Sequence, residues 1–564
     1  MTASRASFEV QIQKDGRWVS ECNFEREEEA RKSADQLFSD RTCEGVRIFR
    51  NWLRADGMIM ESQIHCQTRI VKEDTSIRIG KVDYPPPFCE TEQDYLGFGS
   101  RQFMNRIFRA YLDKMFVTPL EILHDFKEFK RLQDTDTLLP SAVDRVATLQ
   151  AADGTVDAKA RRDQIHTALS GISARARKVE KLKLPKIEDS FGGYLAALNQ
   201  PEDEPHYLAS VALSRDLLTR RSWLGKLDRL TQLATQEQDE QATDMLDDAI
   251  ADVLTSNVVV DLLGSQTSLA NAIITMFDLA DGRMTLAKSD AGESAQQLNA
   301  VLASGRFPKS RLCILDRAHR QLKSTVPLSR SESVPESQAF ARIIERVLLP
   351  TGLIAGPDTA DALTQRYTRL VSQGGVGGRR AAIWGTLRSM PDMASGILYL
   401  VELNQSEWAQ EHSDDIRMKL NEALAKTTLD DFCDKKLSAR ERMARATHAY
   451  KVLSQSTFPD TVKDKITAHI DSLIDNYLAA EKIIEKLDDA ATHLRERAVR
   501  LVQFCAAGVL PPKGKALTRT RGRILTLLRQ PNFDEHFVAG IEDPVKAQKA
   551  LRDFHQLLVK AGFG

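Results

Sequence analysis

The stretch Phe8-Glu9-Val10-Gln11-Ile12-Gln13-Lys14-Asp15-Gly16-Arg17-Trp18-Val19 decides how the beginning of this chain folds. Phe8, Val10 and Ile12 alternate with Glu9, Gln11 and Gln13, which is the two-residue period of a half-buried strand. Asp15-Gly16 tolerates the positive φ angles of a tight turn, so the run predicts a hairpin whose second strand continues through Trp18, Val19 and Cys22. Residues from Glu25 to about Phe38 then read as an acidic-first helix with Ala30, Ala34, Leu37 and Phe38 on one side. Val46, Ile48 and Trp52 begin a third strand, and Ala55-Asp56-Gly57 turns it into a fourth through Met58, Met60 and Ile64. The order is ββαββ, with Ser76–Val82 available as a fifth strand. One helix packed on one face of an antiparallel sheet is the simplest way to bury these apolar sides.

Beyond this module the period changes from 2 to 3.6. Pro85-Pro86-Pro87 can continue neither a ladder nor a helix, and it marks a boundary. Phe103, Ile107, Phe108, Tyr111 and Leu112 form a helical stripe. Thr118-Pro119-Leu120-Glu121 satisfies two helix-start rules at once, a capping box and proline in the first turn. A helix is expected from Ser141 to about Gln150, stopped by Asp153-Gly154, and a longer one from Val156 to about Val179. Further helices are expected at about 206–220, 222–236, 240–255, 266–280, 358–372, 379–390, 393–403, 405–426, 438–453, 459–477, 479–506, 515–529 and 543–561. In the 240–255 segment, Leu246, Ile250, Val253 and Leu254 share a face, and Asp244, Asp247, Asp248 and Asp252 occupy the rest. Softer stretches rich in proline, glycine or serine lie at 182–204, 329–335 and 350–357.

The expected fold class is therefore an α+β N-terminal module followed by mostly all-α multi-helix domains, arranged as a bundle or an irregular α-solenoid. The expected divisions are 1–82 for the ββαββ module, then helical domains at 83–200, 201–356 and 357–564, in line with about 100–200 residues per domain. No fixed repeat of 30–45 residues recurs along the helices.

Composition narrows the function classes. Lys and Arg number 78 against 79 Asp and Glu, a formal net charge of −1, so nucleic-acid binding would have to come from a local patch. The longest apolar runs fall far short of the roughly 20 residues needed to span a bilayer. The N-terminal stretch has Glu and Arg throughout and no apolar segment, so no secretory signal is expected. Seven cysteines without a C-x-x-C pair read as reduced thiols, and a cytoplasmic location follows as the expectation.

Two stretches invite an anion. Ser372-Gln373-Gly374-Gly375-Val376-Gly377-Gly378-Arg379-Arg380 is the one glycine-dense run, and Gly375, Gly377, Gly378, Arg379 and Arg380 are its candidate anion contacts. A phosphate cradle needs glycines that let backbone N–H groups approach, with a helix following directly. Neither G-x-x-x-x-G-K-[ST] nor G-x-G-x-x-G is met, and the segment before it reads as helix, so a helix–helix joint is expected. The second stretch holds Lys513, Lys515, Arg519, Arg521 and Arg523 with no acid among them, although no exposed aromatics interleave them for base stacking. Solvated helix faces or contacts to an acidic partner account for it.

Cys22, Cys43, His65 and Cys66 lie in the module, but their spacing is not that of a zinc site, and buried thiols are expected. His124-Asp125 and His412-Ser413-Asp414-Asp415 match no catalytic motif. No catalytic residue, metal ligand set or cofactor is assigned. The expectation is an interaction or regulatory protein, an adaptor or signalling scaffold acting through its helical surfaces and an N-terminal module that binds a partner or dimerises, without a membrane span. The alternative is a nucleotide- or nucleic-acid-responsive protein using 372–380 or 513–523.

Overall fold

The computed structural model describes residues 6–14, 17–39, 43, 45–53, 59–68, 77–82, 85–152, 154–198, 204–285, 291–329, 334–370 and 375–563. The chain divides into two compact units, Met1–Arg78 and Ile79–Gly564.

The first unit is a four-stranded antiparallel sheet with one helix. Its elements are β1 (Ser7–Lys14), β2 (Arg17–Phe24), α1 (Glu27–Ser39), β3 (Gly45–Leu53) and β4 (Ile59–Thr68), in the sheet order β2-β1-β3-β4. Alternation sorts the faces as expected. Phe8, Val10, Ile12, Val46 and Ile48 are buried against Ala30 and Ala34 of α1, with Leu37 and Phe38 packed alongside. Glu27, Glu28 and Glu29 occupy the first turn of α1, where the helix dipole favours negative charge. The turns expected at Asp15-Gly16 and Ala55-Asp56-Gly57 lie outside the described residues.

Residues 77–82 are not strand. Gly80 instead lies against the end of the Phe98–Ile107 helix, where its N–H donates to Ile107 O at 2.7 Å. A Cβ at Gly80 would stand 2.5 Å from the Arg106 carbonyl oxygen, so the close approach needs glycine here.

Among its described residues the second unit is helical apart from a short hairpin, Leu348–Leu349 paired with Gly352–Leu353, which overlaps the soft stretch expected at 350–357. A continuous apolar core runs through it from Leu120 to Ala561. Helices adjacent in sequence pack on one another, as Gly356–Leu370 does on Gly375–Arg388 and Ala439–Gln455 on Asp460–Ala480. The Thr118/Glu121 capping box forms as its spacing dictates, with Pro119 in the first turn, but the helix it starts ends at His124. Asp125 then caps the next helix, Phe126–Gln133, through the Lys127 and Glu128 amides.

Several boundaries move. The helix expected over 479–506 is broken: Lys482 takes a left-handed φ of 51°, and helix resumes as Ile483–Leu487 and Leu494–Ala506. The segment 405–426 becomes Trp408–Leu420, bent at His412, followed by a 3-10 turn Asn421–Ala425. Helices at Gly292–Ala303, Pro308–Leu322 and Glu336–Val347 occupy a region the periodicity left without helices.

Candidate functional site

The helix expected at 379 starts four residues earlier, at Gly375, so Gly375, Gly377 and Gly378 lie in its first turns. Val371, Ser372, Gln373 and Gly374 lie outside the described residues. Gly378 is buried, while Arg379 and Arg380 are exposed. Both arginines meet acids of the Trp408–Leu420 helix: Arg379 pairs with Glu411, and Arg380 Nε stands 2.6 Å from Asp415 Oδ1.

Beside them is a polar hollow of about 430 Å³ lined by Asp361, Gln365, Arg369, Arg379, Trp408 and His412, among others. Trp408 Nε1 donates to Asp361 Oδ1 at 2.5 Å. His412 sits at the helix bend with φ −126° and ψ 21°, its Nδ1 3.4 Å from Asp415 Oδ2. Its buried Nε2 has no hydrogen-bond partner among the described residues. Periodicity placed this histidine on a continuous helix, and nothing in the sequence signalled the bend that turns it toward the hollow.

The second basic stretch lies on the Lys515–Leu528 helix and the turn before it. Asp471 accepts from the Lys515 amide at 2.6 Å and the Ala516 amide at 3.3 Å, capping that helix from the Asp460–Ala480 helix. Gly514 has φ +142°, and a Cβ there would come within 2.4 Å of the Asp471 carboxylate. Arg519 Nε is 2.9 Å from Asp475 Oδ1, and Arg523 pairs with Asp488, which also holds Arg497 at 2.7 Å. Arg521 donates to Ala561 O at 2.9 Å, and Lys513 O accepts from the Tyr450 hydroxyl at 3.3 Å. Two cations of 513–523, Arg519 and Arg523, are thus met in space by carboxylates from elsewhere in the chain. The structure does not bring the two basic stretches into one site: their arginines pair with separate sets of acids.

Two acids of the Glu240–Leu254 helix, grouped by periodicity with the polar side, are buried. Asp247 accepts from the Lys309 and Ser310 amides, both at 2.8 Å, and so caps the Pro308–Leu322 helix. Asp252 pairs with Arg101 at 2.5 Å and accepts from Asn105 Nδ2 at 3.1 Å. Deeper still, Glu121 and Lys226 form an ion pair with no exposure of either side chain. Thr118 donates to Glu121 Oε2 through its amide at 2.7 Å and its hydroxyl at 2.9 Å. Loss of water opposes charge on both partners, raising the Glu121 carboxyl and lowering the Lys226 ammonium, while their mutual attraction works against both shifts. His124, on the same short helix, is pushed down to about 3 by complete burial.

In the sheet unit, the helix-free face carries side chains opposite the core. Trp18 pairs across from Gln13, and Gln11 across from Arg47, so these share that face. The Arg47 guanidinium lies 4.4 Å from the Trp18 ring and 4.9 Å from the Phe49 ring, and its Nε donates to Gln11 Oε1 at 2.8 Å. Trp18, Arg47 and Phe49 are all half-buried. Cys66, opposite Arg47 in β4, is exposed rather than buried, because it projects to this face. Cys43 is buried and Cys22 half-buried, and all seven cysteines are unpaired.

Among the described residues, no group of three or more His, Cys, Asp or Glu is arranged to hold a metal ion. No helix among them is long and apolar enough to cross a membrane. Compared with protein-family models, curated proteins and solved structures, the chain matches none.

Proposed function

We propose that this chain is a cytoplasmic interaction or regulatory protein, an adaptor or signalling scaffold, whose N-terminal sheet module binds a protein partner and whose helices supply further surface. The observation that carries the reading is the ordered Trp18–Arg47–Phe49 array on the helix-free face of the sheet. Tryptophan, other aromatics and arginine are the residues most enriched at the energetic centres of protein interfaces. Here the guanidinium is already held by two rings and by Gln11, so little side-chain freedom is lost on contact. Glu9 and Asn51 on the same face offer polar groups to surround such a centre.

The test places a photo-crosslinking residue at Gln63, which pairs with Phe49 in β4, in the full chain inside cells. An adduct of discrete mass is expected, and it should disappear in the Trp18→Ala/Phe49→Ala variant while that variant keeps its circular dichroism. No adduct above background, or one indifferent to both substitutions, removes the proposal.

The second reading is an anion-responsive protein, with nucleotide or nucleic acid held by 372–380 or 513–523. What favours it is the unpartnered Nε2 of His412 beside Arg369 and Arg379 in the polar hollow. A phosphate would have to take the place of Glu411 on Arg379. Thermal shifts with ATP and with an oligonucleotide decide it, since phosphate contacts are strongest at low salt and absence of a shift there excludes the idea.

A further inference from the structure

The helices between residues 98 and 179 do not close on one another completely. They leave a cavity of about 90 Å³ walled by Phe103, Phe108, Phe129, Leu139, Val143 and Ile165, with Arg161 at its edge. Protein interiors normally pack to the density of organic crystals, so a gap several times what one water needs, among aromatic and branched side chains, calls for an occupant.

Arg161 supplies the second observation. Its residue is 3% exposed. Nε donates to Gln150 Oε1 at 2.7 Å, Nη1 to Gln164 Oε1 at 3.1 Å and Nη2 to the Cys89 carbonyl at 2.8 Å. The guanidinium also lies 4.1 Å from the Phe88 ring centroid, and the Tyr95 hydroxyl is beside it. Every one of these neighbours is neutral. The other two buried arginines among the described residues differ: Arg101 pairs with Asp252 at 2.5 Å and Arg366 with Glu336 at 2.5 Å. Among the described residues, no carboxylate lies within 4.0 Å of an Arg161 nitrogen.

A buried cation without a counter-charge is expensive unless something supplies that charge. Five N–H donors also exceed the acceptors present, even with the Tyr95 hydroxyl counted. We infer that this cavity binds an amphiphile with a carboxylate head and an apolar body. The carboxylate sits on Arg161 and the body lies among Phe103, Phe129, Val143 and Ile165. The carboxylate is preferred because the planar guanidinium fork matches its two oxygens. The apolar body follows from the walls.

The experiment titrates the full chain with decanoate and, separately, with decan-1-ol, by calorimetry and native mass spectrometry. Saturable one-to-one binding is expected, with decanoate tighter than the alcohol by about tenfold, the worth of a hydrogen bond to a charged group. Arg161→Gln should abolish that preference and leave the alcohol bound. Val143→Phe, which fills the cavity, should remove both. Absence of saturable decanoate binding, equal affinity for acid and alcohol, or binding unchanged by Val143→Phe each overturns the inference. Should Arg161→Gln fail to fold, the comparison of acid with alcohol on the unaltered chain and the Val143→Phe variant still decide it.

Discussion

The two units solve the same problem, hiding apolar surface, with opposite use of charge. In the sheet unit, every fully buried side chain among the described residues is apolar, and polar groups such as Glu9, Gln11, Arg47 and Asn51 stand on strand positions that face away. In the helical unit, Arg101, Glu121, Lys226, Asp247 and Asp252 all lie inside. The difference has a geometric origin. A strand's period of two assigns each residue to a face, and a register slip would expose the whole core, so hydrophobicity alone specifies the pairing. Helices packed by ridges and grooves have neighbouring arrangements of similar apolar burial. A carboxylate that must meet one particular amide pair or ammonium separates them, and specificity of this kind is the best-attested use of buried ionic groups.

The largest effect that would break this comparison is at the Glu121–Lys226 pair. Lys226→Met leaves a buried carboxylate unpaired and should cost about 3–5 kcal/mol by urea denaturation, whereas Lys226→Met with Glu121→Leu should recover most of it. If the single substitution costs no more than the double, the pair is not what makes that interior intolerant of change.

The next effect is a pH dependence that belongs to the helical unit. His124 has an ordinary value of 6.5 and is held down to about 3 by burial. A group whose basicity falls on folding takes up protons preferentially in the unfolded chain. Its contribution is therefore complete above about pH 6.5 and declines as pH falls toward 3. At pH 5 the loss should be about 2 kcal/mol relative to pH 7, and His124→Gln should flatten the profile of the melting temperature between those values.

The smallest effect sharpens the other side. Ile48→Val in the sheet core removes one methylene with no polar partner involved, so about 1 kcal/mol is expected, independent of pH between 5 and 7. A strongly pH-dependent cost there would mean that the sheet unit also conceals a titrating contact.

Legibility in the sequence followed this division. Val10, Ile12, Val46, Ile48, Ala30 and Ala34 could be assigned to one core because alternation and a helical stripe are local signals. The Thr118/Glu121 cap was legible for the same reason. What stayed hidden in those residues was their long-range use. Glu121 reads as a capping acid, and its second oxygen goes to Lys226, 105 positions away. Asp252 reads as solvated, and it meets Arg101 across 151 positions. The 513–523 run reads as an acid-free basic patch, and Asp471, Asp475 and Asp488 meet it from elsewhere in the chain. Arg161 carries no sequence signal at all, since its interest lies in the carboxylate that is missing beside it.

By itself, then, the sequence determined the ββαββ module, its inward and outward faces and the change to helix after Pro85-Pro86-Pro87. Those features depend on periodicity and on backbone limits that operate within a few residues. The partners of the buried charges, the bend at His412 and the cavity beside Arg161 were decided by tertiary structure. They depend on which helices meet, and that is set by the joint packing of side chains far apart in the chain.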